Sequence, residues 1–252
     1  MISAARKILA LWRRLRFELW VLELRLRLRA AGGRLRLAAP HGAILDGRPV
    51  IKAYPLGEGG GTFTLRIGRG VHIGRHLAID LFARSDNTLE IGDESLIMDG
   101  VRLILRGGRI KLGARCNLRD GVWLKSDGQL LIGDDVPIAQ NSAVHCAERI
   151  EFADYVGLAE RVTVLDSDHG FDGSDTYFRD QPLHVEPTTV DRNTFIAAGA
   201  VILRGARIGR NCLVACNSVV RGGDYEPGSL LAGVPAKVVQ RRGGSEGARS
   251  EG

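Results

Sequence analysis

The sequence predicts an all-β fold, a parallel β-helix preceded by one amphipathic α-helix, and three observations support this prediction. An aliphatic residue returns every six positions over much of the chain, and small residues follow it closely. Glycine accounts for 33 of the 252 residues, whereas aromatic residues make up only 6%. Because six residues advance an α-helix by well over one and a half turns, a helix would scatter the repeated side chains around its circumference. Each hexad is therefore expected to form one flat side of a triangular prism, with three hexads to a coil.

The hexads define the expected boundaries of the β-helix. The inward-facing aliphatic residues of the clearest stretch are Val190, Ile196, Ile202, Ile208, Val214 and Val220. Earlier coils start at residues 91, 112, 132 and 152, at intervals of 20 or 21 residues, which is three hexads plus a short bulge at one corner. We expect the β-helix over 67–222, irregular first coils over 34–66, a closing segment over 223–242 and a disordered tail over 243–252.

Residues 1–33 predict a basic amphipathic helix that ends at two glycines. Its apolar positions fall on one helical stripe formed by Ile8, Leu11, Trp12, Leu15, Leu19, Leu22 and Leu26. Such a helix, over residues 3–30, can lie in an anionic membrane surface, or it can pack on the β-helix or on a neighbouring subunit. The alternation of leucine and arginine over residues 23–29 also allows a strand at its end.

Charge and hydropathy narrow the classes of partner and compartment. Residues 1–37 contain ten basic and two acidic residues, a net charge of +8, so this segment accounts for the net charge of +6 of the whole chain. Nucleic-acid binding is not expected, because no binding motif accompanies the basic residues. No apolar run approaches the roughly 20 residues that span a bilayer, and no signal-peptide pattern is present. We expect a cytoplasmic protein, peripheral at the inner face of the membrane if the helix binds lipid.

Four cysteines, Cys116, Cys146, Cys212 and Cys216, show neither metal-binding nor secreted-domain spacing. They are expected to be reduced packing residues, and no metal cofactor is expected.

The hexads are interrupted over residues 166–189, which contain turn formers, two glycines, three aromatics and His169. A stack of coils tolerates an insertion at a corner without losing its core, and such corner loops often carry function. This loop is therefore the predicted location of the functional site.

Residues 196–211 and 233–239 resemble the C-terminal signature of hexapeptide-repeat acyltransferases, and the resemblance is strongest to the maltose, galactoside and nodulation-factor O-acetyltransferases. The resemblance implies a left-handed β-helix, which is an exception to the usual right-handed crossover, and a homotrimer. It also implies acetyl-CoA as the acyl donor and a sugar or glycan as the acceptor.

The resemblance implies a catalytic pair, His169 and Asn141. His169 stands where the family places the general base, and an imidazole with an ordinary pKa near 6.5 suits proton removal from a hydroxyl. Asn141 falls about one coil earlier, where the family places an amide, although an ordinary corner asparagine is an equal alternative. The expected substrate-binding residues are His145, Asp166, Asp168 and Phe195, and the two aspartates are candidates to orient His169 or plain turn formers.

The expected coenzyme groove between subunits is lined by Ala198, Gly199 and Cys216, with Arg221, Lys237 and Arg241 near the phosphates. Phe195 departs from the family pattern, which often carries Trp at this position, and Ala197 replaces the usual Gly.

The leading hypothesis is an acetyl-CoA-dependent O-acetyltransferase that acts on a cell-surface glycan or its precursor. One alternative is a zinc carbonic-anhydrase-like enzyme on the same prism, for which His72, His76 and His145 are available. A second is a non-catalytic β-helix scaffold, which the inserted loop disfavours.

Overall fold

The computed structural model describes residues 2–241, with side chains from residue 11 onward. A long helix, α1 (Ile2–Ala30), precedes a stack of coils, each of which contributes three short strands. The first four coils contain β1 (Arg34–Ala38), β2 (Ile44–Leu45), β3 (Val50–Tyr54), β4 (Thr62–Ile67), β5 (His72–Ile73), β6 (Ala78–Phe82), β7 (Asn87–Ile91), β8 (Leu96–Ile97), β9 (Arg102–Leu105), β10 (Arg109–Leu112), β11 (Asn117–Leu118) and β12 (Trp123–Ser126).

The next coils continue the same order and are interrupted once by a hairpin. They contain β13 (Gln129–Ile132), β14 (Pro137–Ile138), β15 (Ala143–Cys146), β16 (Arg149–Phe152), β17 (Gly157–Leu158), β18 (Thr163–Leu165), the hairpin β19 (Ser167–His169) and β20 (Leu183–Val185), then β21 (Thr188–Val190), β22 (Phe195–Ile196), β23 (Val201–Ile202), β24 (Ala206–Ile208), β25 (Leu213–Val214) and β26 (Val219–Val220). The chain closes with β27 (Gly223–Tyr225), β28 (Ser229–Gly233) and β29 (Ala236–Arg241).

Strands stack into three parallel sheets that form the sides of the prism. Sheet A has nine strands in the order β1-β4-β7-β10-β13-β16-β21-β24-β27, and sheet C has eight in the order β3-β6-β9-β12-β15-β18-β23-β26. Sheet B has ten strands in the order β2-β5-β8-β11-β14-β17-β22-β25-β28-β29, of which the last, β29, is antiparallel to its neighbour. The chain passes from A to B to C in every coil, and we name the corners A–B, B–C and C–A.

The hexad aliphatics form the core, as the sequence predicts. Ile196, Ile202 and Val214 are fully buried, and they align with Leu158, Val164 and Leu231 of adjacent coils. Because every coil places one aliphatic residue inward from each side, stacking gives three continuous apolar columns. The predicted fold class, a left-handed parallel β-helix with an N-terminal α-helix, is confirmed.

Small residues at the A–B corner are required by the approach of adjacent coils. A Cβ on Gly113 would lie 2.5 Å from the carbonyl carbon of Gly133 in the next coil, which no side chain can occupy without a backbone shift. Corners also use left-handed backbone, at the A–B corner in Arg115, where φ is 55°, and at the B–C corner in Asn141, where φ is 59°. Asparagine adopts this conformation more readily than most residues.

The β-helix begins earlier in the chain than the hexad pattern predicts. Residues 34–54, for which irregular coils are predicted, form a complete coil whose strands β1, β2 and β3 pair in register with β4, β5 and β6. Extra residues at two corners, 39–43 and 55–61, displace the inward residues from the six-residue phase. The hexad pattern is therefore lost while the pairing is kept. The expected tail over 243–252 lies outside the described residues.

Helix α1 packs on the first strands of all three sheets and so crosses the N-terminal end of the prism. The residues it buries are Phe17, Trp20, Val21, Leu24 and Leu28, and Ala31, directly after the helix, is also buried. The apolar stripe from Leu11 to Leu26, for which both membrane binding and packing are open alternatives, does not pack on the coil but faces outward, and Leu11 is 70% exposed. The helix has two apolar faces, and the one with more aromatic bulk contacts the coil. Residues 23–29, for which a strand was an alternative, are helical. No helix in the described part of the chain is long and apolar enough to cross a membrane.

Candidate functional site

The interruption of the hexads is an antiparallel hairpin that projects from the C–A corner. Strand β19 follows β18 after a single residue, and β20 returns to β21, so His169 pairs with Leu183 and Asp168 with His184. The tip, residues 171–180, is exposed throughout. The hairpin thus holds His169 at a fixed position beside the prism.

His169 has an exposed side chain and an aromatic neighbour. The ring of Phe178 lies 5.3 Å from the imidazole, centroid to centroid, at an interplanar angle of 88°. Tyr177 packs edge-on against Phe178 with centroids 4.9 Å apart. Within the described residues, no hydrogen bond involves the His169 ring, which leaves both nitrogens open to a substrate. Phe178 supplies the packing that limits the movement of the ring.

Asp166 does not orient His169, in contrast to one sequence expectation. Its side chain is fully buried, and Oδ1 accepts a hydrogen bond from the backbone N–H of Ala147 at 2.7 Å. Oδ2 accepts from the N–H groups of Glu148 and Arg149, each at 2.8 Å. Asp166 therefore closes the C–A corner of the preceding coil. Both oxygens accept hydrogen bonds within the fold, which disfavours a direct contact between Asp166 and a substrate.

Asp168 is also engaged away from the imidazole. Its carboxylate lies 2.8 Å from Nε of Arg204, and Glu186 lies 3.2 Å from Arg207. Together with Arg221 these side chains line a shallow, mainly polar depression at the base of the hairpin. Sequence reasoning missed Arg204 and Arg207, because only the stacking of coils brings them beside the hairpin.

The outer face of sheet C carries a row of polar and aromatic side chains. The ring of Trp123 lies 5.2 Å from His145 and 5.6 Å from the guanidinium of Arg102, which pairs with Asp80. Burial lowers the pKa of His145, and the positive charge of Lys125 lowers it further. Nε2 of His145 is buried without a hydrogen-bond partner in the described structure. His145 is therefore neutral near pH 7 and faces the surface between the B–C and C–A corners.

Cys146 is a packing residue and not a nucleophile. It is 1% exposed, and burial raises the pKa of its thiol to about 12. The thiolate required for nucleophilic attack is therefore scarce at neutral pH.

The remaining expected residues follow two edges of sheet C and do not form one cluster within a single chain. Asn141, Gly199 and Cys216 lie at the B–C corner, where the Gly199 N–H donates to Glu160 and the chain turns with φ of 71°. Ala198 accepts a hydrogen bond from Asn217 at the same corner. His169 and Arg221 lie at the C–A corner. The width of sheet C separates the two expected catalytic residues.

Phe195, Lys237 and Arg241 belong to sheet B. Phe195 is 48% exposed on the outer face, and its ring covers Gly157, where a Cβ would lie 3.1 Å from it. Lys237 and Arg241 are exposed on β29. These two basic residues are thus remote from the hairpin within one chain.

The histidines of the zinc alternative are dispersed. His72 lies on β5 with Nε2 2.7 Å from Asp46, His76 follows at the B–C corner, and His145 is on sheet C. Within the described residues, no group of three His, Cys, Asp or Glu side chains is placed to hold a metal ion.

Residues 187–222 match the family model described as bacterial transferase hexapeptide (six repeats). This segment therefore carries hexapeptide repeats. The resemblance to hexapeptide-repeat acyltransferases seen in the sequence is confirmed at the level of the family. The matched segment includes the strands from β21 to β26, directly after the hairpin.

Two curated relatives of this chain are named as acetyltransferases. A probable acetyltransferase of Mycobacterium tuberculosis is 34% identical over 137 residues, which are 53% of this chain and 45% of that protein. The Escherichia coli protein WbbJ, described as a putative lipopolysaccharide biosynthesis O-acetyl transferase, is 29% identical over 55% of this chain and 74% of its own length. The match thus spans less than half of the mycobacterial protein.

Among solved structures, the polysialic acid O-acetyltransferase OatWY aligns with 81% of this chain and 94% of its own, at 14% identity and a TM-score of 0.49.

Proposed function

We propose that this chain is an acetyl-CoA-dependent O-acetyltransferase whose acceptor is a sugar hydroxyl of a cell-surface glycan or its precursor. The observation that carries the proposal is the hairpin at the C–A corner, which interrupts a regular prism and presents the exposed imidazole of His169. The names of the two curated relatives support the acetyl group, and the name of WbbJ supports a glycan acceptor.

The chemistry requires one base and no covalent enzyme intermediate. A ring nitrogen of His169 removes the proton from the acceptor hydroxyl while the hydroxyl oxygen attacks the thioester carbonyl. The carbon–sulfur bond then breaks, and the coenzyme thiolate leaves and takes up the proton from the imidazolium. The products are the acetyl ester and coenzyme A with a free thiol.

We propose that the site is completed between copies of the chain in a homotrimer. The expected coenzyme residues Ala198, Gly199 and Cys216 lie along the B–C corner with Asn141, whereas His169 lies along the C–A corner. Apposition of one chain's B–C edge and its neighbour's C–A edge would place an amide and a coenzyme groove opposite the imidazole. Arg221 would then lie near the base of the hairpin and Lys237 and Arg241 near the C-terminal end of the groove.

The assignment is tested by acetyl transfer from acetyl-CoA to a panel of oligosaccharides, with His169→Asn as the variant. The hairpin offers a matched control, because His184 lies one residue from the partner of His169 on the opposite strand and is also exposed. General-base catalysis contributes roughly 10²–10⁴-fold, so we expect a loss of that size in His169→Asn and little change in His184→Asn. Equal activity of His169→Asn and the parent would exclude His169 as the base.

Coenzyme A binding by calorimetry, measured on the same variants, distinguishes this function from a scaffold. The proposal expects both variants to bind coenzyme A. A parent protein that binds no coenzyme A would contradict the transferase assignment.

A further inference from the structure

Helix α1 presents a second apolar face to the solvent. Its members are Leu11, Trp12, Leu15, Leu19, Leu22 and Leu26, with exposed fractions from 47% to 70%. At 3.6 residues per turn, this stripe is centred roughly 180° from the face that packs on the coil. Packing within the chain therefore does not account for the stripe.

The position of α1 makes the stripe an end surface of the molecule. Because the helix contacts β1, β2 and β3, it lies across the N-terminal end of the prism. The buried face, from Phe17 to Leu28, covers the coil, and the outward stripe faces away from the body. A flat surface brought against this end meets the leucines along several turns of the helix.

Arginines border the stripe on both sides. On one side are Arg14, Arg25 and Arg29, for which no acidic partner is present among the described side chains. On the other side are Arg16, which donates to the carbonyl of Asp46, and Arg27, which pairs with Glu23 at 2.8 Å. Long arginine side chains extend their charged groups past an apolar surface toward water or headgroups.

The border carries a net positive charge. Residues 11–31 contain six arginines and two glutamates, and Glu23 is paired with both Arg27 and Arg48. Burial is the largest single influence on Glu23 and raises its pKa. The hydrogen bonds and positive charges of Arg27 and Arg48 together outweigh burial and hold the pKa of Glu23 below its ordinary value. Glu23 therefore keeps its charge and is already neutralised by its neighbours.

We propose that the outward stripe of α1 docks on an anionic lipid surface. The leucines enter the boundary between headgroups and acyl chains, and the bordering arginines contact the negatively charged headgroups. Trp12, at one end of the stripe, has the amphipathic ring that is favoured at this boundary. The body of the β-helix then stands on the membrane by its N-terminal end, independently of any transferase activity.

A second copy of the chain is the competing occupant, and the charges disfavour a parallel pair. Positions 12, 15, 19, 22 and 26 have the alternating three- and four-residue spacing that suits helix pairing. In a parallel pair with this seam, however, Glu18 faces Glu23 of the copy, and two surfaces that are each rich in arginine come together. Like charges at these flanking positions oppose pairing, whereas anionic lipid complements them.

The test is flotation of the full-length protein with vesicles of phosphatidylcholine alone and of an equimolar mixture with phosphatidylglycerol. We expect binding to the mixed vesicles and at least about tenfold weaker binding to the neutral ones. The triple variant Leu15→Gln, Leu19→Gln, Leu22→Gln should lose binding to both by at least about tenfold. Leu56→Gln, which changes an exposed leucine away from the helix, is the matched control and should bind as the parent does.

A charge variant and a fluorescence signal separate lipid docking from nonspecific adhesion. Replacing Arg14, Arg25 and Arg29 by Gln should reduce binding to mixed vesicles by at least about tenfold and abolish the preference for them. The tryptophan emission should shift to shorter wavelength with mixed vesicles. Trp12→Phe should remove the shift, because Trp20 is already buried and Trp123 lies on sheet C, away from the helix.

Sedimentation of the parent and the triple leucine variant without lipid gives the decisive comparison. These leucines face solvent, so the variant should keep the fold, as circular dichroism can verify, and also the oligomeric state. The proposal would be overturned if the parent did not bind mixed vesicles. It would also be overturned if the leucine variant formed a smaller oligomer than the parent, and that result would assign the stripe to contact with a second copy of the chain.

Discussion

Replacing Asp166 by Asn tests whether this carboxylate supports the coil or the imidazole. Both oxygens accept hydrogen bonds from the consecutive backbone N–H groups of Ala147, Glu148 and Arg149, at 2.7 to 2.8 Å. The amide of asparagine has a single acceptor oxygen. In its best orientation it keeps the two bonds from Glu148 and Arg149, and its NH₂ group then faces the N–H of Ala147.

The structure sets the size of the expected effect. A hydrogen bond to a charged acceptor contributes about 1.5–3 kcal/mol, and the two bonds that remain lose their charged acceptor. We therefore expect Asp166→Asn to lower the free energy of unfolding by roughly 2–4 kcal/mol. Asp168→Asn is the control, because the Asp168–Arg204 pair is partly exposed and such pairs contribute about 0–1 kcal/mol.

Urea unfolding followed by circular dichroism measures the stability of both variants, and acetyl transfer is measured where both remain folded. We expect a lower unfolding midpoint with nearly unchanged turnover for Asp166→Asn. If its midpoint equals that of the parent while turnover falls, Asp166 acts on His169 and the structural role is refuted.

Three further predictions follow from the coil. The pKa of His145 is lower in the folded chain than its value near 6.5 in the unfolded chain, so the unfolded chain binds more protons below that pH. The free energy of unfolding therefore falls as the pH drops. Urea midpoints measured from about pH 7.5 to about pH 5 should fall less in His145→Gln than in the parent. Gly113→Ala should reduce stability by about 1–3 kcal/mol in the same assay, and Gly60→Ala, which meets nothing within 4 Å, by much less. Iodoacetamide should modify exposed Cys216 in the native protein, whereas Cys146 should react only after unfolding, as mass spectrometry can show; rapid native labelling of Cys146 would contradict its burial.

The core of the fold was predictable because its repeat is short and each coil obeys the same rule. Residues such as Ile202 and Val214 can be assigned to the core from the sequence alone, since an aliphatic residue at every sixth position fits only a prism. The first coil was not predictable in this way. Its inward residues Leu45 and Ile51 keep the hexad spacing, but the corner insertion before Leu45 breaks the phase.

The two faces of α1 show a different limit. Periodicity identifies apolar stripes, yet both Leu19 and Leu24 belong to apolar stripes, and sequence alone does not say which stripe packs. The outcome depends on the shape of the coil end, where Phe17 contacts the turn at Gly42.

The candidate site was predictable in location but not in all of its contacts. The loss of phase after Val164 marks the hairpin, and His169 stands at its start. The role of Asp166 was not predictable, because a turn-forming aspartate and a buried acceptor of three N–H groups have the same sequence. Arg204 lies more than thirty positions from His169 and joins the site only through coil stacking.

The way the stack of coils ends also limits how large an assembly can grow. A prism of parallel strands exposes unpaired backbone groups at each terminus, and such edges can template one-dimensional polymerisation. Helix α1 covers one terminus. At the other, β29 pairs antiparallel with β28 and so occupies the edge of sheet B where a parallel strand of another prism would pair. Head-to-tail fibres are thereby suppressed, and association is directed to the lateral faces, where a closed ring of finite size can form.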